Sequence, residues 1–308
     1  MNKLTAPLDS GVGWCLPLAY RANTSRGLAP SALLSGCSLR FLHHLSIRSR
    51  FTLLFAIVSG LLLFGCATTG TGNKPALPQK VDRLAELHTQ LGLGYLRERR
   101  YETAWKRLNK ALELEPNYAA AHGAMALLHE QLNEPQEAEA HYRRALAINP
   151  SDSASHNNFG RFLCTQGRAT DAEAEFLKAV ANPLYDSPEI AYTNAGLCLY
   201  AGGDLEKAED YLRHALRINP NIPVALLKMT SVTLQKDQPL PARGYLQRYL
   251  ALGRQTAESL WLGVRIERLL GDPNAAASYA MLLKNNFPDS NETRLLLESD
   301  SSRSPSVQ

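Results

Sequence analysis

The sequence has no large surplus of charge of one sign outside its first 65 residues. Six of the 33 basic residues and one of the 29 acidic residues precede Cys66, which leaves 27 basic against 28 acidic residues in the rest of the chain. A nucleic-acid-binding protein needs a basic patch or stripe that neutralises phosphates. The balance therefore argues against nucleic acid as a partner, while a hydrophobic fraction of 45% fits a globular protein rather than a disordered one.

Motifs of catalysis are equally scarce. The chain has no glycine-rich loop of the kind that cradles phosphates, and no serine lies in a nucleophile elbow. His122 and His129 are seven residues apart on one predicted helix, about 10 Å along its axis. No set of carboxylates or cysteines accompanies them. We therefore expect no enzymatic activity, and no metal, cofactor or small-molecule substrate.

An uncharged apolar run of 15 residues, 51–65, follows Arg48 and Arg50 and ends at Cys66. A helix that spans a membrane needs about 20 apolar residues, so the run is short for that role. A basic start, an apolar middle and small residues beyond it are the layout of a signal peptide. We predict a signal peptide at 48–65.

The end of this run bears on membrane attachment. Residues 63–66, Leu-Phe-Gly-Cys, resemble the lipobox of bacterial lipoproteins, although Phe64 replaces the small residue usual at that place. We predict lipidation of Cys66, with a flexible linker at 66–83; the alternative is an ordinary thiol in a signal anchor. Two or three acyl chains on one cysteine give stable membrane attachment where a single chain is marginal. Ala67 after the cysteine is similar to what outer-membrane lipoproteins carry, so we expect the outer membrane, facing the periplasm.

Residues 1–47 show no clear hydrophobic period and precede the signal-like segment. Because a signal sequence normally begins within a few residues of the start, we interpret them as the product of an upstream start codon. No methionine lies between Met1 and Met125, so the true start would use another codon near residue 45. An unusually long leader is the alternative.

The rest of the chain is repetitive. Small residues recur at intervals of 34, 34, 36, 34 and 33, at Ala104, Ala138, Ala172, Ala208, Ala242 and Ala275. Four positions after each comes a bulky apolar residue, namely Leu108, Tyr142, Phe176, Leu212, Leu246 and Tyr279. Small residues let two antiparallel helices approach closely, and bulky ones fill the gaps between pairs. The pattern predicts helix pairs that must stack to bury their apolar faces.

This repeat resembles the tetratricopeptide repeat, which also has a small residue in its first helix, as at Gly92, Gly160, Gly196 and Gly263. The resemblance implies an all-α, right-handed superhelical solenoid with a concave face. We place about six units within 84–288, at 85–118, 119–152, 153–188, 189–222, 223–255 and 256–288. Unit five is degenerate, because Thr230 stands at its small position. A short cap and a disordered tail are expected at 289–308.

Two cysteines remain once the leader is removed and Cys66 is lipidated. Cys164 and Cys198 are 34 residues apart, hence on neighbouring first helices. An even pair in an oxidising compartment suggests a disulfide, although the bond requires Cα atoms within about 7 Å. The alternative is a pair of buried thiols.

The concave face of such a solenoid is lined by regular positions of the first helices. By register these are Leu93, Leu96, Leu127, Glu130, Asn157, Arg161, Ile190, Leu197, Tyr200, Val224, Leu227 and Leu234. The surface is largely apolar with a polar middle, which suits an amphipathic protein segment. The alternative for each of these residues is a place in the core between helices.

The combination of a lipobox cysteine, six repeats and the string HNNFGRFLC at 156–164, with a second cysteine one repeat later, resembles the pilotin lipoproteins of type IV pilus biogenesis, the PilF and PilW family. That resemblance implies an outer-membrane lipoprotein that binds secretin subunits and promotes their targeting and multimerisation. Phe64 and the leader at 1–47 depart from the family pattern. Two other classes stay open: a generic repeat lipoprotein that scaffolds envelope or cell-wall enzymes, and a repeat domain that regulates a catalytic subunit.

Overall fold

The computed structural model describes residues 78–302. This part of the chain forms thirteen helices and no strand. The predictions made for residues 1–77, lipidated Cys66 included, concern residues outside the described range. The helices are α1 (Pro78–Arg97), α2 (Tyr101–Leu114), α3 (Ala119–Gln131), α4 (Pro135–Ile148), α5 (Ser153–Thr165), α6 (Ala169–Ala181), α7 (Pro188–Ala201), α8 (Leu205–Ile218), α9 (Pro223–Gln235), α10 (Pro239–Ala251), α11 (Ala257–Leu270), α12 (Pro273–Asn286) and α13 (Asn291–Ser301).

Twelve of the helices form six consecutive pairs, and α13 follows the last pair. From α3 onward the two helices of each pair pack on one another, and each second helix packs on the first helix of the next pair. The first helices of units three to six, namely α5, α7, α9 and α11, also contact one another in order. The prediction of an all-α solenoid of helix pairs is confirmed.

The small position of each first helix faces the bulky position of its partner helix. A Cβ atom added to Gly160 would lie 2.8 Å from the Phe176 ring and 3.1 Å from the Ala172 carbonyl oxygen. Gly92, Gly196 and Gly263 would meet Leu108, Leu212 and Tyr279 in the same way, at 2.5, 2.6 and 2.8 Å. The two helices of a pair therefore approach to a distance that no larger side chain permits.

Unit five keeps the pair without a glycine. Thr230 is fully buried, and its hydroxyl donates a hydrogen bond of 2.9 Å to the Leu226 carbonyl oxygen one turn earlier. That bond satisfies the polar group, so burying the hydroxyl costs little. The degeneracy seen in the sequence is therefore absorbed locally.

Helices extend beyond both ends of the six predicted units at 84–288. Helix α1 begins at Pro78, inside the predicted linker of 66–83; proline is favoured in the first turn of a helix because its missing N–H has no partner to lose. At the other end α13 buries Leu296 against unit six, and Arg268 donates hydrogen bonds to Ser299 and Asp300 of α13. Among the described helices, none combines the length and the apolar character that crossing a bilayer requires.

Candidate partner-binding groove

The first helices carry the twelve residues predicted to line the concave face. Seven of them are half-buried, namely Leu127, Glu130, Arg161, Ile190, Tyr200, Val224 and Leu227. Five are buried, namely Leu93, Leu96, Asn157, Leu197 and Leu234. The half-buried residues of units two to five, apart from Glu130 and Arg161, are therefore the ones that a partner can reach.

Unit one contributes packing at this register. Leu93 and Leu96 are buried in a cluster with Leu108 of α2 and with Met125 and Leu128 of α3. The second unit lies directly against these side chains, which removes them from water. Their place in the structure is the interface between units one and two.

A nearly buried ion pair joins units two and three. Arg161 of α5 donates a hydrogen bond of 3.1 Å to the Glu130 carboxylate of α3, and the two side chains are 12% and 10% exposed. The hydroxyl of Tyr142 in α4 donates to the same carboxylate oxygen. Burial raises the pKa of Glu130, while Arg161 and Tyr142 act in the opposite direction. The pair fixes the polar middle of the face because removing either partner would leave a buried charge alone.

An amide pair links the next two units. The Asn194 side-chain nitrogen donates a hydrogen bond of 3.0 Å to the Asn157 side-chain oxygen, and both residues are buried. Asn194 was not predicted to belong to the face. Asn194 lies one helical turn after Ile190, a predicted position, but it was not among the repeat positions from which the face was predicted.

The structure adds a polar cluster around Tyr200 that the register did not predict. Gln235 donates a hydrogen bond of 2.6 Å to the Tyr200 hydroxyl, and the Lys228 ammonium lies 4.5 Å from the centre of the Tyr200 ring. Lys228 also lies 3.8 Å from the Glu258 carboxylate of α11. Burial raises the pKa of the Tyr200 hydroxyl. Lys228 and Gln235 are seven residues apart on α9. This helical spacing was the one feature of the sequence that could have predicted that the two side chains share a face.

The half-buried apolar residues of units four and five form the most accessible part of the predicted face. Ile190, Tyr200, Val224 and Leu227 are only partly covered by the rest of the array. With Lys228, Gln235 and Glu258 beside them, they offer apolar contact next to polar groups that can give orientation. This is the composition of sites that hold an amphipathic protein segment.

The structure joins Cys164 and Cys198. Their sulfur atoms are 2.18 Å apart and their Cα atoms 5.7 Å apart. The bridge ties α5 to α7, beside the residues of the face. The chain between the two cysteines includes α6 and the loop of residues 182–187, where the repeat spacing lengthens to 36.

The two histidines considered as metal ligands belong to a cluster of three. The Nδ1 atoms of His122 and His141 are 3.0 Å apart, and the His129 ring stacks on His141 with centroids 5.3 Å apart. His129 Nδ1 also lies 2.6 Å from the Glu134 carboxylate. Within residues 78–302, no group of three or more histidine, cysteine or acidic side chains has the geometry to hold a metal ion.

Comparisons with known proteins agree with this architecture. A tetratricopeptide repeat family model matches residues 89–153 and 158–223, and a second model of the same description matches 141–174. The type IV pilus assembly protein PilF of Pseudomonas aeruginosa is 35% identical over 243 residues, which are 79% of this chain and 96% of that protein.

Two solved structures extend the likeness to three dimensions. A structure from a functional characterisation of Pseudomonas aeruginosa PilF has a TM-score of 0.66 at 34% identity and covers 71% of this chain and 99% of its own. The structure of PilW, described as a widely conserved type IV pilus biogenesis factor, has a TM-score of 0.64 at 32% identity and covers 69% and 98%. Since the likeness spans nearly the whole length of these proteins, the chain belongs to the PilF and PilW family of tetratricopeptide-repeat proteins of type IV pilus biogenesis.

Proposed function

We propose that this protein is a pilotin, an outer-membrane lipoprotein anchored through Cys66 that binds secretin subunits and promotes their targeting and multimerisation. The observation that carries the proposal is the likeness to a type IV pilus assembly protein over 96% of its length. In this role the protein binds a partner and catalyses no reaction. The concave face would bind the secretin, and the N-terminal acyl chains would insert into the bilayer.

The half-buried residues of units four and five would receive the secretin segment. An amphipathic helix or strand would place apolar side chains against Ile190, Val224 and Leu227, at the spacing set by neighbouring first helices. Tyr200 offers an aromatic surface at low conformational cost, and Lys228 and Glu258 would select the direction of the segment through their opposite charges. The ion pair of Glu130 with Arg161 and the bridge of Cys164 with Cys198 would hold the first helices in place before the partner arrives.

The test is a deletion of the gene, followed by blotting of outer-membrane fractions for heat-resistant secretin multimers. Loss of multimers while monomers persist would support the pilotin role. Unchanged multimers would contradict it and favour a generic repeat scaffold for envelope or cell-wall enzymes. Recovery of a catalytic subunit in place of secretin, when the tagged full chain is isolated from membranes, would instead favour a regulatory subunit.

Complementation tests the anchor separately. The full chain should restore the multimers, whereas Cys66→Ser should remain unlipidated, leave the outer-membrane fraction and fail to restore them. Normal outer-membrane fractionation of Cys66→Ser would refute the lipid anchor and leave secretin binding to be judged from the deletion alone.

A further inference from the structure

The edge at which the second helices end is strongly basic in units four and five. Of the seven lysine and arginine residues between 211 and 256, four pair with acidic side chains, namely Arg213, Lys228, Lys236 and Arg243, which leaves Arg217, Arg248 and Arg254. Arg217 and Arg248 lie in the last turns of α8 and α10, and Arg254 follows α10. All three arginines are exposed. This concentration of charge contrasts with the near neutrality of the chain after Cys66.

The charges of these arginines are not neutralised by the described part of the protein. Arg217 and Arg254 form neither an ion pair nor a hydrogen bond within residues 78–302. Arg248 donates a hydrogen bond of 2.8 Å to the carbonyl oxygen of Pro220, a neutral acceptor in the turn just after α8. Arg213 differs, because it pairs with Glu209. The three arginines therefore offer uncompensated positive charge to solvent.

Exposed aliphatic side chains lie along the same edge. Ile218, the last residue of α8, is 49% exposed, and Leu184, in the loop between α6 and α7, is 84% exposed. Because the second helices of stacked pairs all run in one direction, their ends and the turns after them follow one edge of the array. Arginine with aliphatic residues at one edge is the composition of proteins that rest on lipid headgroups.

We propose that this edge, formed by Leu184, Arg217, Ile218, Arg248 and Arg254, is a contact surface for an anionic lipid bilayer. The planar guanidinium groups bind lipid phosphates through paired hydrogen bonds, while Leu184 and Ile218 enter the headgroup region. The residues come from three consecutive turns between units, an arrangement that suits an extended surface better than a single peptide. The inference goes beyond the proposed function and does not need the anchor at Cys66.

Chemical protection of the arginines tests this surface in the full chain. The protein is reconstituted in vesicles of phosphatidylcholine alone or mixed with phosphatidylglycerol, and arginine modification by a dicarbonyl reagent is followed by mass spectrometry. On the anionic vesicles Arg217 and Arg254 should react about threefold or more slowly, and high salt should remove the protection. Arg143 and Arg265, exposed arginines away from this edge, should react equally on both. Equal rates at Arg217 and Arg254 would overturn the proposal.

Variants provide a second readout. Arg217→Gln/Arg248→Gln/Arg254→Gln should lower the excess of bound protein on anionic over neutral vesicles by about tenfold or more. Lys106→Gln/Arg143→Gln/Arg265→Gln removes the same charge from exposed positions elsewhere and should change it by less than about twofold. Equal losses would overturn the proposal.

Soluble polyglutamate or inorganic phosphate, added at matched charge, should protect the arginines less than the vesicles do. Equal protection would assign the edge to an acidic protein or to simple ion pairing instead.

Discussion

The Nδ1 atoms of His122 and His141 lie 3.0 Å apart across the two helices of unit two. One repeat later, His156 and Glu175 occupy the same places in unit three, with His156 Nδ1 2.6 Å from the Glu175 carboxylate. In both units the other nitrogen of the first imidazole lies 3.0 to 3.1 Å from the carbonyl oxygen of the proline that precedes the unit. The same two positions of the repeat therefore hold two histidines in unit two and a histidine with a carboxylate in unit three.

The pKa values of the histidines in the two pairs move in opposite directions. Burial, together with the nearby His122 and His129, lowers the pKa of His141 to about 4. Burial also lowers the pKa of His156, but its hydrogen bonds and the charge of Glu175 outweigh that effect and leave the pKa raised. The surroundings in unit two therefore favour the neutral imidazoles of His122 and His141, whereas those in unit three favour the charged imidazole of His156.

Acid should destabilise unit two through His141. Its pKa in the folded protein lies below the ordinary value of about 6.5, so its contribution to stability is present above pH 6.5 and is lost as the pH falls toward 4. After screening by solvent we expect a loss of about 1 kcal/mol between pH 7 and pH 5. His141→Glu copies the arrangement of unit three, and urea unfolding at the two pH values should show this loss reduced or reversed. The same pH dependence in both proteins would contradict the role of His141.

The close approach of Gly160 to Phe176 predicts a large effect of one methyl group. Gly160→Ala places a Cβ atom 2.8 Å from the ring and 3.1 Å from the Ala172 backbone oxygen, which cannot move aside as a side chain can. We expect the free energy of unfolding to fall by about 1–3 kcal/mol. Gly94→Ala is the matched control, because a Cβ atom at that helical position meets nothing within 4 Å. It should be neutral or raise stability by up to about 1 kcal/mol. Equal effects in urea unfolding would refute the close approach.

The disulfide bond between Cys164 and Cys198 can be tested chemically in the purified protein. Mass spectra of peptides from the purified protein should show the two cysteines joined without reductant and separate with it. Cys164→Ala/Cys198→Ala should lower the free energy of unfolding by about 2–4 kcal/mol, and reductant should then have no further effect. Free thiols at both positions in unreduced protein would rule out the bridge.

The fold could be predicted from the sequence because its main contacts repeat at a fixed spacing. Gly160 and Phe176 are 16 residues apart, and the same pair of positions recurs in each unit. Contacts between units are less regular. Leu93 and Leu197 have the register of the concave face, but both are buried in the folded array. The contact of Lys228 with Tyr200 depends on how two units superimpose, which no single repeat encodes.

This difference decides how the groove should be tested. Leu93 is 6% exposed, so a charge there would unfold unit one and say nothing about binding. Ile190 and Val224 are half-buried and lie outside the packed clusters of the core.

Ile190→Asp/Val224→Asp should weaken capture of secretin subunits more than about tenfold, because charge at an apolar contact costs several kcal/mol. Leu240→Asp/Met281→Asp adds the same charge at residues 66% and 60% exposed on second helices and should leave capture unchanged. Urea midpoints of both variants near that of the unaltered chain would show that each is folded. Equal capture by the two would place the partner surface away from the first helices of units four and five.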